Sequence, residues 1–416
     1  MRKEEGEKQM ATCTGCSLLC EDIEAALMNG ALSHVKNLCR KGHGHFQATF
    51  AKRTVPMIDS QVVDLDQAIV NAAEILRNAR SPLLYGWSNT TLEAQAIGIK
   101  LAEKIGATLD DTSSFCQGIL MERILSGKIP TCTLDDVRNY ADTSIFWGSD
   151  PSNSHPRHLS RFSYYPRGEK RQKSYEEERT CIAVDVRRSA TADLCSNYYF
   201  RVAPGGDLQF MEAILAVLEG KIPKVGDKKK MIELGSILKK TEFGVIFPGP
   251  GMIYSLQDKM DLFERLMAKL NEITTFKAIP MVEHYNTRGF NELLREKTGF
   301  VNSVSFAGGS AAHGPEHSVL AAARTCDAVL VVGSDPLSAL PFGTARSLAH
   351  VPLIAVDPCR SLTTDAAKVV IPSALFGLEA GGTAVRMDGV KIEFEPFLET
   401  NLPTDEQILA RIMEAI

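Results

Sequence analysis

The stretch DAVLVVGSDPLSALP, Asp327–Pro341, decides how this chain of 416 residues folds. An apolar run closes on Gly-Ser-Asp-Pro, the form of a strand running into a turn. The same form stands at TSIFWGSDPSNSHP, Thr143–Pro156. The match continues downstream, where LIAVDPCRSLTTDAAKVVIP (353–372) repeats CIAVDVRRSATADLCSNYYFRV (181–202) at Val-Asp, Arg-Ser, Thr and Asp. Two equivalent βαβ units imply two equivalent ligand sites. Each offers a turn, Gly148-Ser149-Asp150 or Gly333-Ser334-Asp335, whose backbone N–H groups can hold phosphate. Each also offers an acidic residue one strand over, Asp185 or Asp357, placed for a ribose or a purine edge.

Outward from these units the pattern is α/β. DLDQAIVNAAEILRNARS carries Leu65, Ile69, Ala72, Ala73 and Leu76 at the period of one helix face. PLLYGW reads as a strand, and SNTT as the N-cap of the helix LEAQAIGIKLAEKIG. Helix, strand and capped helix build a parallel sheet that binds ligands at the strands' carboxyl ends, where Gly86, Trp87 and Asn89 stand. In DDTSSFCQG, Cys116 occupies a polar turn, so it is a metal ligand, a nucleophile or an incidental thiol. YYPRGEKRQKSYEEERT reads as a charged surface loop. Residues 220–241 read as a polar connection and a short amphipathic helix, which puts a domain boundary near 240. FGVIFPGPG then opens a new α/β run. Further on, KAIPMVEHYNTRGFNELL gathers His284, Asn286, Arg288 and a glycine as a site loop.

At the other end, residues 1–10 are charged and expected to fray. Next come Cys13, Cys16, Cys20 and Cys39, separated by two, three and eighteen residues. Soft thiolates so spaced suit one iron–sulfur cluster. A four-thiolate zinc site is the alternative, although zinc ribbons usually present two separated Cys-x2-Cys knuckles. ALSHVKN, after Asn29 and Gly30, reads as the second arm of a hairpin. Lys41 follows the last cysteine by two residues, where a cation can offset a cluster's negative charge.

Composition narrows the class. The length suggests about two to three domains. A net charge of -5 gives no basic field for nucleic acid. No apolar run reaches the roughly 18 residues of a membrane span, and MRKEEGEKQM lacks the apolar core of a signal peptide, so a cytoplasmic location is expected. Ten cysteines are too sparse for a disulfide scaffold. Cys132, Cys181, Cys195, Cys326 and Cys359 read as small buried hydrophobes.

Several runs together, CTGCSLLCEDIE, CRKG, SSFCQG, WGSDPSNSHPRH, VDVRRSATAD, EHYNTRGFN and EAGGTAVRMDGV, resemble the B-type subunit of formylmethanofuran dehydrogenase, within the molybdopterin oxidoreductase superfamily. The resemblance covers Cys13 to about Val390. It implies an α/β fold with a small N-terminal iron–sulfur subdomain (1–54) and two pseudo-symmetric α/β domains with mainly parallel sheets (55–115 with 241–416, and 116–240). It also implies that the C-terminal β-barrel cap of single-chain relatives is here a separate, pterin-capping subunit.

The resemblance also implies a [4Fe–4S] cluster on Cys13, Cys16, Cys20 and Cys39, with Lys41 bridging it to a pterin. A tungsten or molybdenum ion would sit on Cys116 and two molybdopterin guanine dinucleotides. Those dinucleotides would be held by the two turns with Asp185 and Asp357, and by Asn89, His155, Arg157 and Arg187. Arg288 and His284 would face CO2 or formate. Where the family usually has His after the metal-ligand cysteine, this chain has Gln117, an amide that cannot titrate near neutral pH. That leaves His284 as the better proton donor, with Arg288 as an electrostatic clamp. The implied partners are an amidohydrolase-type subunit that condenses formate with methanofuran, the pterin-capping subunit, a further C-type subunit, and a polyferredoxin donor. Two other readings stand beside this one: a formate dehydrogenase-type oxidoreductase, and a non-catalytic B-like subunit of a formyltransferase/hydrolase complex.

Overall fold

The structure is a computed structural model and describes residues 8–28, 31–48, 53–173 and 177–416. The chain divides into two compact units, one of Met1–Phe115, His284–Arg386 and Lys391–Ile416, the other of Cys116–Glu283 and Met387–Val390.

The first unit is built on a nine-stranded sheet. Its centre is five parallel strands in the order Thr108–Asp110, Pro82–Gly86, Ala328–Val332, Leu353–Val356 and Val369–Ile371. Short antiparallel strands close both edges. The central strands bury both faces, and the period of two splits their side chains. Leu84, Leu330 and Ile354 pack toward the helices Leu65–Asn78, Leu92–Ile105 and Asp405–Ala415, while Leu83, Val329 and Leu353 enter a separate core on the other face. The helix starts are fixed locally. Asp64 and Gln67 form a capping box, Thr91 accepts from the Ala94 N–H, and Thr404 pairs with Gln407.

The N-terminal part of this unit is a three-stranded antiparallel sheet, Lys8–Cys13, Cys20–Met28 and Ala31–Lys36, followed by the helix Arg40–Ala48. The hairpin arm expected after residue 30 is present, and the turn residues Asn29 and Gly30 lie outside the described residues. Fraying does not extend through residue 10, because Lys8, Gln9 and Met10 pair with Ala26, Ala25 and Glu24.

The second unit carries five strands, all parallel, in the order Tyr199–Arg201, Thr180–Asp185, Thr143–Trp147, Phe243–Pro248 and Thr275–Ala278. The boundary expected near 240 therefore moves to Glu283/His284. Phe243–Pro248 does open a new strand–helix run, but it pairs with Thr143–Trp147 and so extends the existing sheet. In the charged excursion after residue 164, residues 165–173 are irregular, as expected of a loop, residues 174–176 lie outside the described residues, and Arg179 is buried. Its guanidinium donates to the carbonyls of Val137, Arg138, Ala141 and Pro166, and burial lowers its pKa to about 10.

Candidate functional site

Cys13 and Cys20 stand opposite each other as register partners at the mouth of the first hairpin, and Cys16 lies in the loop between them. All three are buried, while Cys39 is partly exposed just before the helix that carries Lys41. Burial pushes the Cys16 thiol up to about 12 and Cys13 higher still, and each is raised further by the charges of its neighbouring cysteines. Opposing this, the backbone N–H groups of Gly15 and Leu18 point at the sulfurs of Cys13 and Cys16, and the Lys41 cation favours the Cys16 thiolate. The Gly42 N–H donates to Cys39 Sγ at 3.5 Å. Among the described residues, no group of three or more His, Cys, Asp or Glu side chains is arranged to hold a metal ion. The donor set itself fits a thiolate-held metal group: four sulfurs that sense one another's charge, with N–H donors and one cation aimed at them.

Next to this segment, at the carboxyl ends of the parallel strands, is a cavity of about 240 Å³. Thr14, Gly15 and His45 line it from the cysteine side, and Asn89, Gly333, Asp357, Tyr285 and Asp405 from the strand side. Thr14 donates its hydroxyl to the Phe376 carbonyl (2.7 Å) and accepts from His45 Nε2 (2.7 Å). Burial lowers the His45 pKa to about 4, so the ring is neutral and its donor is committed to Thr14. Burial raises Asp357 to about 7 and Asp405 to about 6. Two buried polar atoms of residues lining the cavity, Tyr285 Oη and Asp405 Oδ1, have no hydrogen-bond partner. The lining as a whole mixes hydroxyl, imidazole, amide and carboxylate side chains, a set of polar groups that suits a pterin nucleotide.

The two repeated motifs carry the same bonds. Asp150 Oδ1 accepts from Thr191 N (3.3 Å) and Oγ1 (2.7 Å), and Asp335 Oδ1 accepts from Thr363 N (3.0 Å) and Oγ1 (2.6 Å). Asp185 Oδ1 accepts from Arg187 N at 3.1 Å, and Asp357 Oδ1 from Cys359 N at 2.8 Å. Gly148 and Gly333 have φ of 59° and 57°, and their N–H groups donate to Val184 and Val356. These two N–H groups and the two aspartates hold the turn itself. The phosphate role read for them narrows to other N–H groups of each turn. Ser149 Oγ likewise donates inward, to the Phe247 carbonyl.

Cys116 is partly exposed in the turn between the 3₁₀ turn Thr112–Phe115 and the helix Gly118–Leu125. Ahead of it, Asp111 and Ser113 are buried in one network: Asp111 accepts from Ser88 Oγ and Ser113 N, and Asn291 and Asn302 both donate to Ser113 Oγ at 2.9 Å. Tyr254 in the second unit senses Cys116, since burial first and the Cys116 charge second raise its pKa. Gln117 is buried, and its Nε2 donates to the Pro248 and Met281 carbonyls at 3.2 Å each. That fixes the amide orientation and leaves Oε1 without a partner.

Other expected site residues are held by protein groups. His155 is buried with Nδ1 at 2.8 Å from Ser154 Oγ and Nε2 at 2.8 Å from the Val282 carbonyl, so it positions the loop. Arg157 is half-buried after it, and Arg187 is exposed with Nη2 3.4 Å from Asp150 Oδ2. Arg288 is buried and its Nε pairs with Glu292 at 2.7 Å, one turn along its own helix. His284 is half-buried at the start of the same loop. Asn286 is structural: it donates to the Thr90 carbonyl, its N–H to the Ser88 carbonyl, and it accepts from Val385 N. Sequence reasoning missed Thr14, His45, Tyr285 and Asp405. Of these, Asp405 carried a signal only as a first-turn acid in a capped helix.

Fold and site together define a parallel α/β protein with a four-thiol segment set against a polar cavity at its strand ends. No family model matches the chain. Two curated relatives do: the B-type subunit of the tungsten-containing formylmethanofuran dehydrogenase 2 of Methanocaldococcus jannaschii is 35% identical, and that of Methanococcus maripaludis 32%, each over 97% of both chains. The chain belongs to the family of formylmethanofuran dehydrogenase B-type subunits. In fold it is also similar to a chain of the formyltransferase/hydrolase complex from Methylorubrum extorquens, solved with methylofuran. The TM-score is 0.68 at 22% identity, over 86% of this chain and 98% of that one. Among the described residues no helix is long and apolar enough to cross a membrane.

Proposed function

We propose that this chain is the redox subunit of a formylmethanofuran dehydrogenase. It would reduce CO2 to formate, which an amidohydrolase-type subunit then condenses with methanofuran. The observation that carries the reading is a shared wall: the loop bearing Cys13 and Cys16 contributes Thr14 and Gly15 to the same cavity that Asn89, Gly333 and Asp357 line at the strand ends. When bound, a [4Fe–4S] cluster on Cys13, Cys16, Cys20 and Cys39, and tungsten or molybdenum on Cys116 with two molybdopterin guanine dinucleotides, supply one-electron delivery and the two-electron step between CO2 and formate.

The chain's own residues set the conditions for that chemistry. N–H groups aimed at sulfur and the Lys41 cation stabilise thiolate charge inside a low-dielectric pocket. Asn89, Ser334 and Asp357 would hold one dinucleotide, and Ser149, Asp185, Arg157 and Arg187 the other. Arg288 acts as a clamp for a carboxylate, its Nε already oriented by Glu292. Gln117 holds its place by two carbonyls and moves no proton, so proton delivery falls to His284. Residues 1–54 form the cluster subdomain, and a pterin-capping subunit, a C-type subunit and a polyferredoxin donor complete a cytoplasmic complex.

A second reading, a non-catalytic subunit of a formyltransferase/hydrolase assembly, draws on the neutral Gln117 and on the fold likeness to a chain of such a complex. Elemental analysis of the purified complex, with electron paramagnetic resonance of the reduced sample, separates the two. Iron with tungsten or molybdenum and a cluster signal is the expected result. A complex without tungsten or molybdenum overturns the redox reading, and one zinc without iron–sulfur absorption points to a structural zinc site.

A further inference from the structure

Cys181 and Cys195 read from sequence as two small buried hydrophobes, and both are buried, but they are not independent of each other. Cys181 lies at the start of the strand Thr180–Asp185, and Cys195 follows the five-residue helix Ala190–Leu194. The Cys195 thiol donates to Cys181 Sγ at 3.0 Å. A disulfide holds its sulfurs about 2.05 Å apart, so bonding this pair takes an approach of about 1 Å. Burial, then the hydrogen bond and charge of Cys195, keep Cys181 well above the ordinary thiol range, so the pair rests as two thiols. Among the described residues no third His, Cys, Asp or Glu joins them in a metal-binding group.

The fold itself does not call for sulfur here. In the duplicated unit the strand Leu353–Val356 and the helix Leu362–Ala366 place Leu353 and Ala367 at the matching positions, and both belong to one apolar core. The same strand–helix corner therefore packs with ordinary hydrophobes. Cys195 is also one layer below solvent, since Asp193 and Leu194 before it and Ser196 and Asn197 after it are exposed. A helix of five residues has little stability of its own. Its local opening brings Cys195 to solvent while Cys181 stays in the sheet, paired with Ser144.

We propose that Cys181 and Cys195 form an oxidative modification site, a dithiol that a small peroxide converts reversibly into a disulfide latch across this strand–helix corner. Cys195, reached through helix opening, attacks a peroxide oxygen as its thiolate. The O–O bond breaks, and the leaving hydroxide takes the thiol proton to become water, which leaves a sulfenic acid on Cys195. The Cys181 sulfur then attacks the Cys195 sulfur, and its proton departs with the sulfenic hydroxyl as a second water. In sum, two thiols and one hydrogen peroxide give one disulfide and two waters, with two electrons passing from the sulfurs to the peroxide. A dithiol reductant returns both thiols, so in a reducing compartment the bond is transient and reports oxidant. The closed ring carries Asp185, Arg187 and Thr191, and Thr191 is the residue that holds Asp150. The site is independent of what the strand-end cavity binds.

The test treats the full-length chain in its purified complex with hydrogen peroxide, alkylates the remaining thiols under denaturing conditions and maps tryptic peptides by mass spectrometry. Trypsin cuts after Arg179, Arg187, Arg188 and Arg201, so the two cysteines fall on separate peptides, 180–187 and 189–201. The expected product is these two peptides joined, two hydrogens lighter than their sum, and parted again by dithiothreitol. Hydrogen exchange over residues 190–195 should slow about tenfold on oxidation. Cys195→Ala, which copies Ala367, should lose both the link and the slowing while exchange elsewhere matches the wild type. The wild-type peptide map decides the link even if that variant does not fold. Recovery of Cys181 and Cys195 as alkylated thiols, arrest of Cys195 at sulfinic acid, or a bond from either one to a different cysteine overturns the proposal. A link that leaves exchange over 190–195 unchanged overturns the latch.

Discussion

Asp150 and Asp335 hold their turns by the same contacts, each accepting from the N–H and hydroxyl of one threonine, 41 and 28 residues downstream respectively. What surrounds the turns differs. Beside Gly148 runs the backbone of Gly251 and Met252, so close that a Cβ on Gly148 would lie 2.3 Å from Met252 N. Beside Gly333 is Asn89, whose carbonyl would be 3.0 Å from an added Cβ and whose Nδ2 donates to the Gly333 carbonyl. The second copy thus opens onto the cavity shared with the cysteine loop, while the first is braced by its own unit. A duplicated turn keeps its internal bonds and diverges in its neighbours, so equivalence in sequence does not entail equivalence in chemistry.

Breaking that comparison begins with the cysteine loop. Cys16→Ser should abolish electron delivery and remove the reduced cluster signal and its iron, read by iron analysis and paramagnetic resonance, while extracted pterin persists. Retained iron would refute Cys16 as a ligand. Next, Gly148→Ala and Gly333→Ala should separate in denaturant titration. Both bear left-handed strain of about 1–2 kcal/mol, but the Gly148→Ala Cβ comes to 2.3 Å from backbone against 3.0 Å at Gly333, for a total above about 3 kcal/mol. Equal losses would mean the two turns have the same surroundings. Thr191→Val and Thr363→Val sharpen the similarity, each costing about 1–3 kcal/mol by stripping one donor from a turn aspartate, and the two costs should agree closely.

The mildest probe is pH. Asp110 and Asp111 in the first unit are raised by burial to about 6 and 7, so their stabilising contribution is present below the unfolded value near 3.8 and is lost as pH rises to about 7. His158 in the second unit is lowered by burial to about 3, so its contribution is present above about 6.5 and is lost as pH falls through that window toward 3. Hydrogen exchange corrected for intrinsic rates should show acidification from 6.5 to 4.5 protecting the segment around Asp110 and loosening that around His158. The opposite pattern would overturn both assignments.

The repeated strands and the capped helices were legible because each is a short-range pattern whose physics is local. The boundary near 240 was not, since a strand's sequence shows that it is a strand and not which neighbour it will pair with. Arg179 looked like one more charge in a solvated run until four carbonyls converged on it. The Arg288–Glu292 pair was readable in principle from its i,i+4 spacing. Tyr285 and Asp405 were unreadable as neighbours on one cavity wall, being 120 residues apart in sequence.

The bond from Thr14 to the Phe376 carbonyl spans 362 residues, and Asp405 on the opposite wall comes later still. During synthesis the cysteine loop therefore emerges long before the wall it leans on, whereas Cys116–Glu283, all of the second unit but Met387–Val390, is one unbroken stretch that can begin to assemble first. The first unit is correspondingly rich in distant contacts, which makes it the slower of the two to form. A ligand of that cavity meets its finished walls only after Asp405 has emerged, which makes binding there a late event in the life of this protein.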